Sequence, residues 1–311
     1  ISYVAGQTLR LERAIFHVER KRKGRIHSEV DEMKGMISGI KRMEIHDGDG
    51  LRTTVFFKGC PLRCIWCHNP ESLSFEKQIA FFKSKCISCG ICKNERNEKT
   101  AEECPTGAIE VYGREYEAEE LAQILLQDEV FFKNSGGGVT LSGGECLAQP
   151  DFCIALAKLL HERDISVYVD TCGYVKREIF EKMIPYTDKF LYDIKAIDTA
   201  AHKKCTGKDN RLILDNLKFL CDMGCKIEIR YPLVKGYNDL ECENIAKFLS
   251  GLPGITKVKV LQYHSFSASR YEALGMINTL PNTETTFNDV ENAVSILKQY
   301  GLNAINGMRE D

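Results

Sequence analysis

The sequence predicts an α/β fold, a partial TIM-like (β/α)6 barrel with a small cysteine-rich insert, on three observations. From residue 40 onward, short segments rich in Val, Ile, Tyr and Phe alternate with segments of helical periodicity. Repeated units of this kind imply a parallel sheet, because each parallel crossover needs a helix. The chain has 311 residues, enough for one large unit and too few for two full catalytic domains. Its 14 cysteines include seven in two tight groups, Cys60/Cys64/Cys67 and Cys86/Cys89/Cys92/Cys104. A hydrophobic content of 43% and a charged content of 28% exclude extensive disorder. The net charge of −2 leaves no footprint for general nucleic-acid binding. No apolar run approaches the roughly 18 residues of a membrane-spanning helix.

Taken in chain order, residues 1–35 read as a peripheral N-terminal extension and 36–311 as the barrel, with the insert at 80–112. The basic run Lys21-Arg22-Lys23 is offset by Glu12, Glu19, Glu29, Asp31 and Glu32, which argues against a nucleic-acid arm or a transit peptide. An amphipathic N-terminal helix is the alternative for this stretch. Strands are expected at 53–58, 139–142, 166–171, 190–194, 226–233 and 257–262. Helices are expected at 118–132, 152–163, 177–183, 212–223, 241–249 and 289–300. In the fourth helix Ile213, Leu217, Leu220 and Cys221 share one face, with Asp215, Lys218 and Asp222 opposite.

Barrels of this type place functional residues at the C-terminal ends of their strands. Here those ends carry Lys58-Gly59-Cys60, Ser142-Gly143-Gly144-Glu145, Asp170-Thr171-Cys172-Gly173, Asp193-Ile194-Lys195 and Tyr263-His264, while the fifth strand carries Arg230. Every strand thus delivers a polar or ligating group to one mouth.

The sharpest motif is Cys60-x-x-x-Cys64-x-x-Cys67, just past the first strand. Fourteen cysteines in a long chain with ample core residues and no evident cleavable signal peptide indicate a reducing cytoplasm and metal or iron–sulfur ligation. Three thiolates on one loop can hold three irons of a 4Fe–4S cube, leaving one iron open for chemistry. A structural zinc loop completed by a fourth ligand, with His68 close by, is the alternative.

Together with this motif, Ile45-His46-Asp47-Gly48-Asp49-Gly50-Leu51-Arg52-Thr53-Thr54, Phe57-Lys58-Gly59-Cys60-Pro61, His68-Asn69-Pro70-Glu71-Ser72, residues 135–145 and Tyr192-Asp193-Ile194-Lys195 resemble the activating enzymes of glycyl radical enzymes, a branch of the radical S-adenosylmethionine (SAM) superfamily. The likeness spans about residues 40–300. Asp49 and Cys146 stand where the family commonly has Pro. The resemblance implies an oxidoreductase of anaerobic chemistry that reductively cleaves SAM to a 5′-deoxyadenosyl radical. That radical takes a glycine Cα hydrogen from a partner glycyl radical enzyme. It implies SAM contacts from Trp66, Cys67, His68, Ser142, Gly143, Gly144, Glu145, Asp170, Asp193, Ile194, Lys195, Arg230 and His264. Asp193 would meet the ribose, and Lys195 the carboxylate. Asp170 and Thr171 would help hold a monovalent cation, or else cap the following turn. Asp47 would face the protein substrate, with turn chemistry around Gly48 and Gly50 as the plainer reading. Flavodoxin or ferredoxin is the implied electron donor, and the protein is expected to act as a monomer in the cytoplasm. No side chain need act as acid or base. The glycines of the Ser142–Glu145 turn would let the backbone approach the cofactor.

The second group, Cys86-x-x-Cys89-x-x-Cys92 followed by Cys104-Pro105, has the bacterial ferredoxin pattern. Its four thiols fit one complete 4Fe–4S site, making two clusters in all; zinc is the alternative. The other seven cysteines read as buried structural residues, with Cys146 and Cys172, near the mouth, as the exceptions to watch. Two further functional readings stay open at this level: an iron–sulfur electron carrier, and a radical SAM enzyme acting on a small molecule.

Overall fold

Alternation of side chains along the parallel strands builds this molecule and fixes what its interior can do. The computed structural model describes residues 33–308. Its strands are β1 Lys34–Glu44, β2 Arg52–Phe57, β3 Gln78–Phe81, β4 Ile109–Tyr112, β5 Arg114–Glu117, β6 Gly138–Gly143, β7 Ser166–Thr171, β8 Lys189–Asp193, β9 Ile227–Leu233, β10 Ile255–Gln262 and β11 Ala304–Asn306. The main sheet has the order β11-β10-β9-β8-β7-β6-β2-β1-β5. From β2 through β6 to β11 every pair is parallel, whereas β1 is antiparallel to both β2 and β5. The six strands β2 and β6–β10 correspond to the six expected.

Successive residues of a strand point to opposite faces. One set, including Val55, Phe57, Val139, Leu141, Val167, Val169, Phe190, Tyr192, Ile229, Tyr231, Val258 and Val260, joins the main hydrophobic core. The other set carries Arg52, Thr54, Thr140, Ser142, Tyr168, Asp170, Asp193, Arg230 and Lys259, which bond to one another, to the chain 46–49 or, for Asp193, to Lys195. The barrel therefore has an apolar outside under its helices and a polar interior.

The helices follow the expected periods. The helix Arg211–Asp222 buries Ile213, Leu217, Leu220 and Cys221, and Arg177–Met183 has the expected bounds. The expected single helix 118–132 is instead Ala118–Leu125, a 3-10 turn Leu126–Asp128, and Glu129–Ser135. The cause is Asp128, whose buried carboxylate accepts from Arg42 Nη1 at 2.6 Å and Thr53 Oγ1 at 2.8 Å. Tightening the backbone there turns Asp128 toward β1 and β2. The short helices Thr199–Thr206 and Ala268–Ala273 and the strands β1, β3, β4, β5 and β11 go beyond the sequence reading.

The expected N-terminal extension, 1–35, lies outside the described residues up to 32. Lys34 and Gly35 already pair with β5, so the sheet starts two residues before the expected boundary. The antiparallel pair β3–β4 frames the cysteine-rich segment. Among the described residues, no helix is long and apolar enough to cross a membrane.

Candidate active site

The loop after β2 carries the first cysteine group and is pinned by backbone bonds from two directions. Arg63 N–H donates to Thr206 O at 2.8 Å, and Ile65 N–H to Cys205 O at 3.0 Å. From the C-terminal side, Ser267 Oγ and Tyr271 Oη donate to Cys67 O, at 3.3 and 3.1 Å, and Thr279 Oγ1 donates to Ile65 O at 3.1 Å. Trp66 is buried with Cys205, Val234, Tyr263, Tyr271 and Leu280. Backbone groups do this work, so the three thiols are left free to face inward.

Cys60, Cys64 and Cys67 line one cavity of about 300 Å³ at the barrel mouth. Trp66, His68, Ser142, Gly143, Gly144, Asp170, Asp193, Lys195 and Arg230 line the same cavity, as does Asp47. Most of the expected site is thus brought together by the C-terminal ends of five strands.

The charges are paired in a definite pattern. Arg230 reaches Asp47 Oδ1 and Asp170 Oδ2, both at 3.3 Å, and His46 O at 3.2 Å. Its Nε is buried with no partner among the described residues. Ser142 Oγ donates to Asp170 at 2.6 Å. Burial pushes the Asp170 carboxyl up to about 6, with the Arg230 charge opposing. Lys195 donates to Asp193. Burial alone would lower its ammonium, yet the charges of Asp193, Cys64 and Cys172 hold it above the usual range. Burial raises the Cys67 thiol to about 12 and lifts Cys64 as well. These two thiols keep their protons until a metal displaces them.

Several expected contacts lie elsewhere. Glu145 is fully buried behind the cavity wall and accepts from Thr171 Oγ1 at 2.8 Å, Cys172 N–H at 2.8 Å and Leu147 N–H at 3.1 Å. Thr171 follows Asp170 on the strand, so its side chain points the other way, into the helix layer. Ile194 likewise joins the core. His264 stacks outside on His68 and Phe266, both at 4.3 Å, while its neighbour Tyr263 lines the cavity. Both residues follow the end of β10 at Gln262, where strand alternation no longer decides: Leu261, Gln262 and Tyr263 all line the cavity. Asp47 lines the cavity, but its carboxylate is already committed to Thr54 Oγ1 at 2.8 Å and to Arg230.

The glycine turn also works differently from the expectation. A Cβ on Gly143, at φ +113°, would lie 2.2 Å from Phe57 N, and one on Gly144 would lie 2.4 Å from Ser72 O. Gly144 N–H donates to Phe57 O and Glu145 N–H to Gly59 O, each at 2.9 Å. The glycines are required so that this turn can lie against the cysteine loop, and its backbone forms a cavity wall as a result.

The second cysteine group lines a separate cavity of about 340 Å³ with Phe81, Ile87, Ile91 and Ile109. Ser88 N–H donates to Cys86 Sγ at 3.4 Å. Backbone N–H groups, that of Ile109 foremost and then that of Thr106, lower the Cys104 thiol to about 7, favouring its thiolate. Among the described residues, no three His, Cys, Asp or Glu side chains converge closely enough for a single metal ion. A zinc ion draws its sulfurs to within about 4 Å of one another, through Zn–S bonds of about 2.3 Å. The thiols of a cube serve different irons and stand farther apart.

Residues 54–249 match the family model of the radical SAM superfamily. The trans-4-hydroxy-L-proline dehydratase activating enzyme of Clostridioides difficile is 40% identical over 268 residues, covering 78% of this chain and 88% of that protein. The choline trimethylamine-lyase activating enzyme of Oleidesulfovibrio alaskensis is 34% identical over 299 residues, covering 86% and 96%. Streptococcus suis SuiB bound to S-adenosylmethionine has a similar fold, with a TM-score of 0.54 at 16% identity over 79% of this chain and 48% of that one. The chain belongs to the radical SAM superfamily and, within it, to the activating enzymes of glycyl radical enzymes, which use a 4Fe–4S cluster and SAM to place a radical on a partner's glycine.

Proposed function

We propose that the cavity lined by Cys60, Cys64 and Cys67 is where this chain binds its cluster and SAM, and that the partner is a glycyl radical enzyme of the dehydratase or lyase kind. The observation that carries this reading is the meeting of three free thiols with Asp193, Lys195 and Arg230 around one open cavity. When bound, the cluster supplies one electron that splits SAM into methionine and a 5′-deoxyadenosyl radical, which leaves as 5′-deoxyadenosine after taking a glycine hydrogen atom.

The chain's own residues bind, orient and exclude water. The unpartnered Arg230 Nε and the Lys195 ammonium are placed to take a carboxylate. Asp193 is placed to accept from ribose hydroxyls. Carbonyls of the Ser142–Gly144 wall suit an ammonium. Trp66, Val234 and Tyr263 give an apolar face for a purine. Any monovalent cation would rest on Asp170, with Thr171 contributing only backbone, because its hydroxyl donates to Glu145, accepts from Gly173 N–H and does not line the cavity.

Glycine is part of a backbone, so the substrate is a peptide loop. Incubating the reduced, reconstituted protein with peptides copying the glycine loops of hydroxyproline, choline and pyruvate enzymes tests this. Deuterium at the glycine Cα should appear in 5′-deoxyadenosine, with an oxygen-sensitive glycyl signal in paramagnetic resonance. Transfer from a free metabolite, with none from any loop, would move the protein to small-molecule chemistry.

The four insert thiols are proposed to hold a second cube that relays electrons from a low-potential flavodoxin or ferredoxin, with Cys89 exposed on its outer side. All 14 cysteines are free, as a reducing cytoplasm would keep them. Two cubes mean about eight irons per chain. Replacing Cys86 and Cys89 by Ala should leave about four, with 5′-deoxyadenosine still formed under dithionite. A double variant that keeps the full iron complement would refute the second cube.

A further inference from the structure

Asp49 is the only side chain between two glycines, Gly48 at φ +131° and Gly50 at φ +70°. They lie on the segment that carries Asp47 into the cysteine-lined cavity. Glycine leaves a backbone more freedom than any other residue, so this stretch depends on what its one side chain holds. The Asp49 carboxylate accepts from Tyr168 Oη at 2.8 Å and from Lys189 Nζ, which ties the segment to β7 and β8. Arg52, fully buried, donates to Asp49 O at 3.3 Å and lies over the Tyr168 ring, 3.6 Å from its centroid. A Cβ on Gly48 would fall 2.5 Å from that same ring, so the segment is also packed closely on β7. Just upstream, the segment supplies two of the three acceptors that Arg230 uses, Asp47 Oδ1 and His46 O; the third is Asp170. Asp49 itself does not line the cavity.

We propose that Asp49 is a positioning residue: held by Tyr168 and Lys189, it sets the segment 46–50 so that Asp47 and the His46 carbonyl aim Arg230 at the SAM carboxylate. The inference rests on the reading that Arg230 binds SAM through its unpartnered Nε. A guanidinium is a planar fork, so a small rotation of its acceptors turns Nε away from a ligand. The segment's ends have holds of their own. Thr140 Oγ1 donates to Asp47 O and Thr54 Oγ1 to Asp47 Oδ2, each at 2.8 Å, and Leu51 N–H donates to Ser135 Oγ at 2.9 Å. Losing Asp49 therefore loosens the middle of the segment without detaching it. The Asp49 carboxylate is half-exposed, and exposed ion pairs add little to folding stability. The effect falls on the aim of Arg230 rather than on the fold.

The test is equilibrium dialysis of SAM against the full-length, reconstituted protein, beside the kinetics of 5′-deoxyadenosine formation. If the wild-type protein binds no SAM, the reading of the cavity itself fails, and that failure is distinct from the outcomes below. Asp49→Ala should keep its iron and its melting temperature. It should bind SAM about three- to tenfold more weakly and raise KM for SAM by the same factor, with kcat little changed. Lys189→Met, which leaves the Tyr168 bond, should show part of that loss, and Lys189→Arg, which keeps the charge, should bind SAM as the wild type does. In an Arg230→Leu background Asp49→Ala should cost nothing further, because two residues that act through one group are not additive. If alanine is not tolerated at 49, Asp49→Asn reads the same difference, since it keeps an acceptor for Tyr168 and loses the charge facing Lys189. Unchanged SAM affinity in the Asp49 variant, an equal further loss in the Arg230→Leu background, or loss of iron from both the Asp49 and Lys189→Met variants would overturn the proposal.

Discussion

Replacing Cys64 with alanine is expected to abolish 5′-deoxyadenosine formation while the barrel remains folded. Two thiols cannot hold a cube that needs three, so iron should fall from about eight to about four per chain. The loop itself should keep its place, because it is anchored through Arg63 N–H to Thr206, Ile65 N–H to Cys205 and three hydroxyls onto the carbonyls of Ile65 and Cys67. Losing one half-buried sulfur costs about 1 kcal/mol of burial. Circular dichroism and a thermal melt should match those of the metal-free wild type. Iron analysis and product detection after dithionite reduction check the rest. 5′-Deoxyadenosine at the wild-type rate would refute this ligand set.

Arg230→Leu should be the most destabilising single change at the mouth. The guanidinium sits between Asp47 and Asp170, all three largely buried. Removing one partner of a buried ionic group leaves uncompensated charge and costs about 3–5 kcal/mol, a fall in Tm on the order of 10 °C. The loss should depend on pH in a stated direction. Burial already raises Asp170 to about 6 against the pull of Arg230, and without that pull it rises further. A carboxyl whose folded pKa exceeds its unfolded value of about 3.9 takes up a proton on folding, so its stability cost is absent below that value. The cost grows as pH rises toward the folded value. The gap in Tm between wild type and variant should therefore change little below pH 6 and open as pH rises through about 6, where Asp170 ionises in the wild type but keeps its proton in the variant. A gap that stays flat through and above that pH would show that Asp170 is not held by Arg230.

The loss of Arg230 Nε should also weaken SAM binding. Equilibrium dialysis of the reconstituted variant would separate that effect from folding, because it can be run well below the variant's melting temperature.

Much of this molecule was legible before any coordinates. The six parallel strands announced themselves through runs such as Ser166–Thr171, whose bounds needed no change. Alternation within β7 sets Asp170 and Thr171 on opposite faces, although the resemblance assigns both to one cation, whereas Tyr263 and His264 lie past the end of β10, where alternation decides nothing. Thiol spacing in residues 60–67 and 86–104 depends on short loops, and both sets duly line cavities. The strand β1 was not legible, because Lys34–Glu44 carries glycines, lysines and an arginine in place of a hydrophobic run. It is a strand because β2 and β5 hold it on either side.

What the sequence determined by itself was local: the βα periods, the thiolate spacing and the mouth to which polar residues are delivered. These follow from backbone geometry over a few residues, which neighbouring side chains alone can encode. Only the tertiary structure decided which polar groups are spent on one another. Arg230 meets Asp47 across 183 residues of sequence, and His68 meets His264 across 196. It also turned Glu145 from an expected ligand into a buried anchor, and the Gly143-Gly144 turn into a packing requirement. Such pairings depend on how a sheet closes, and the energy of a buried charge is set by whichever partner the closed barrel brings within reach.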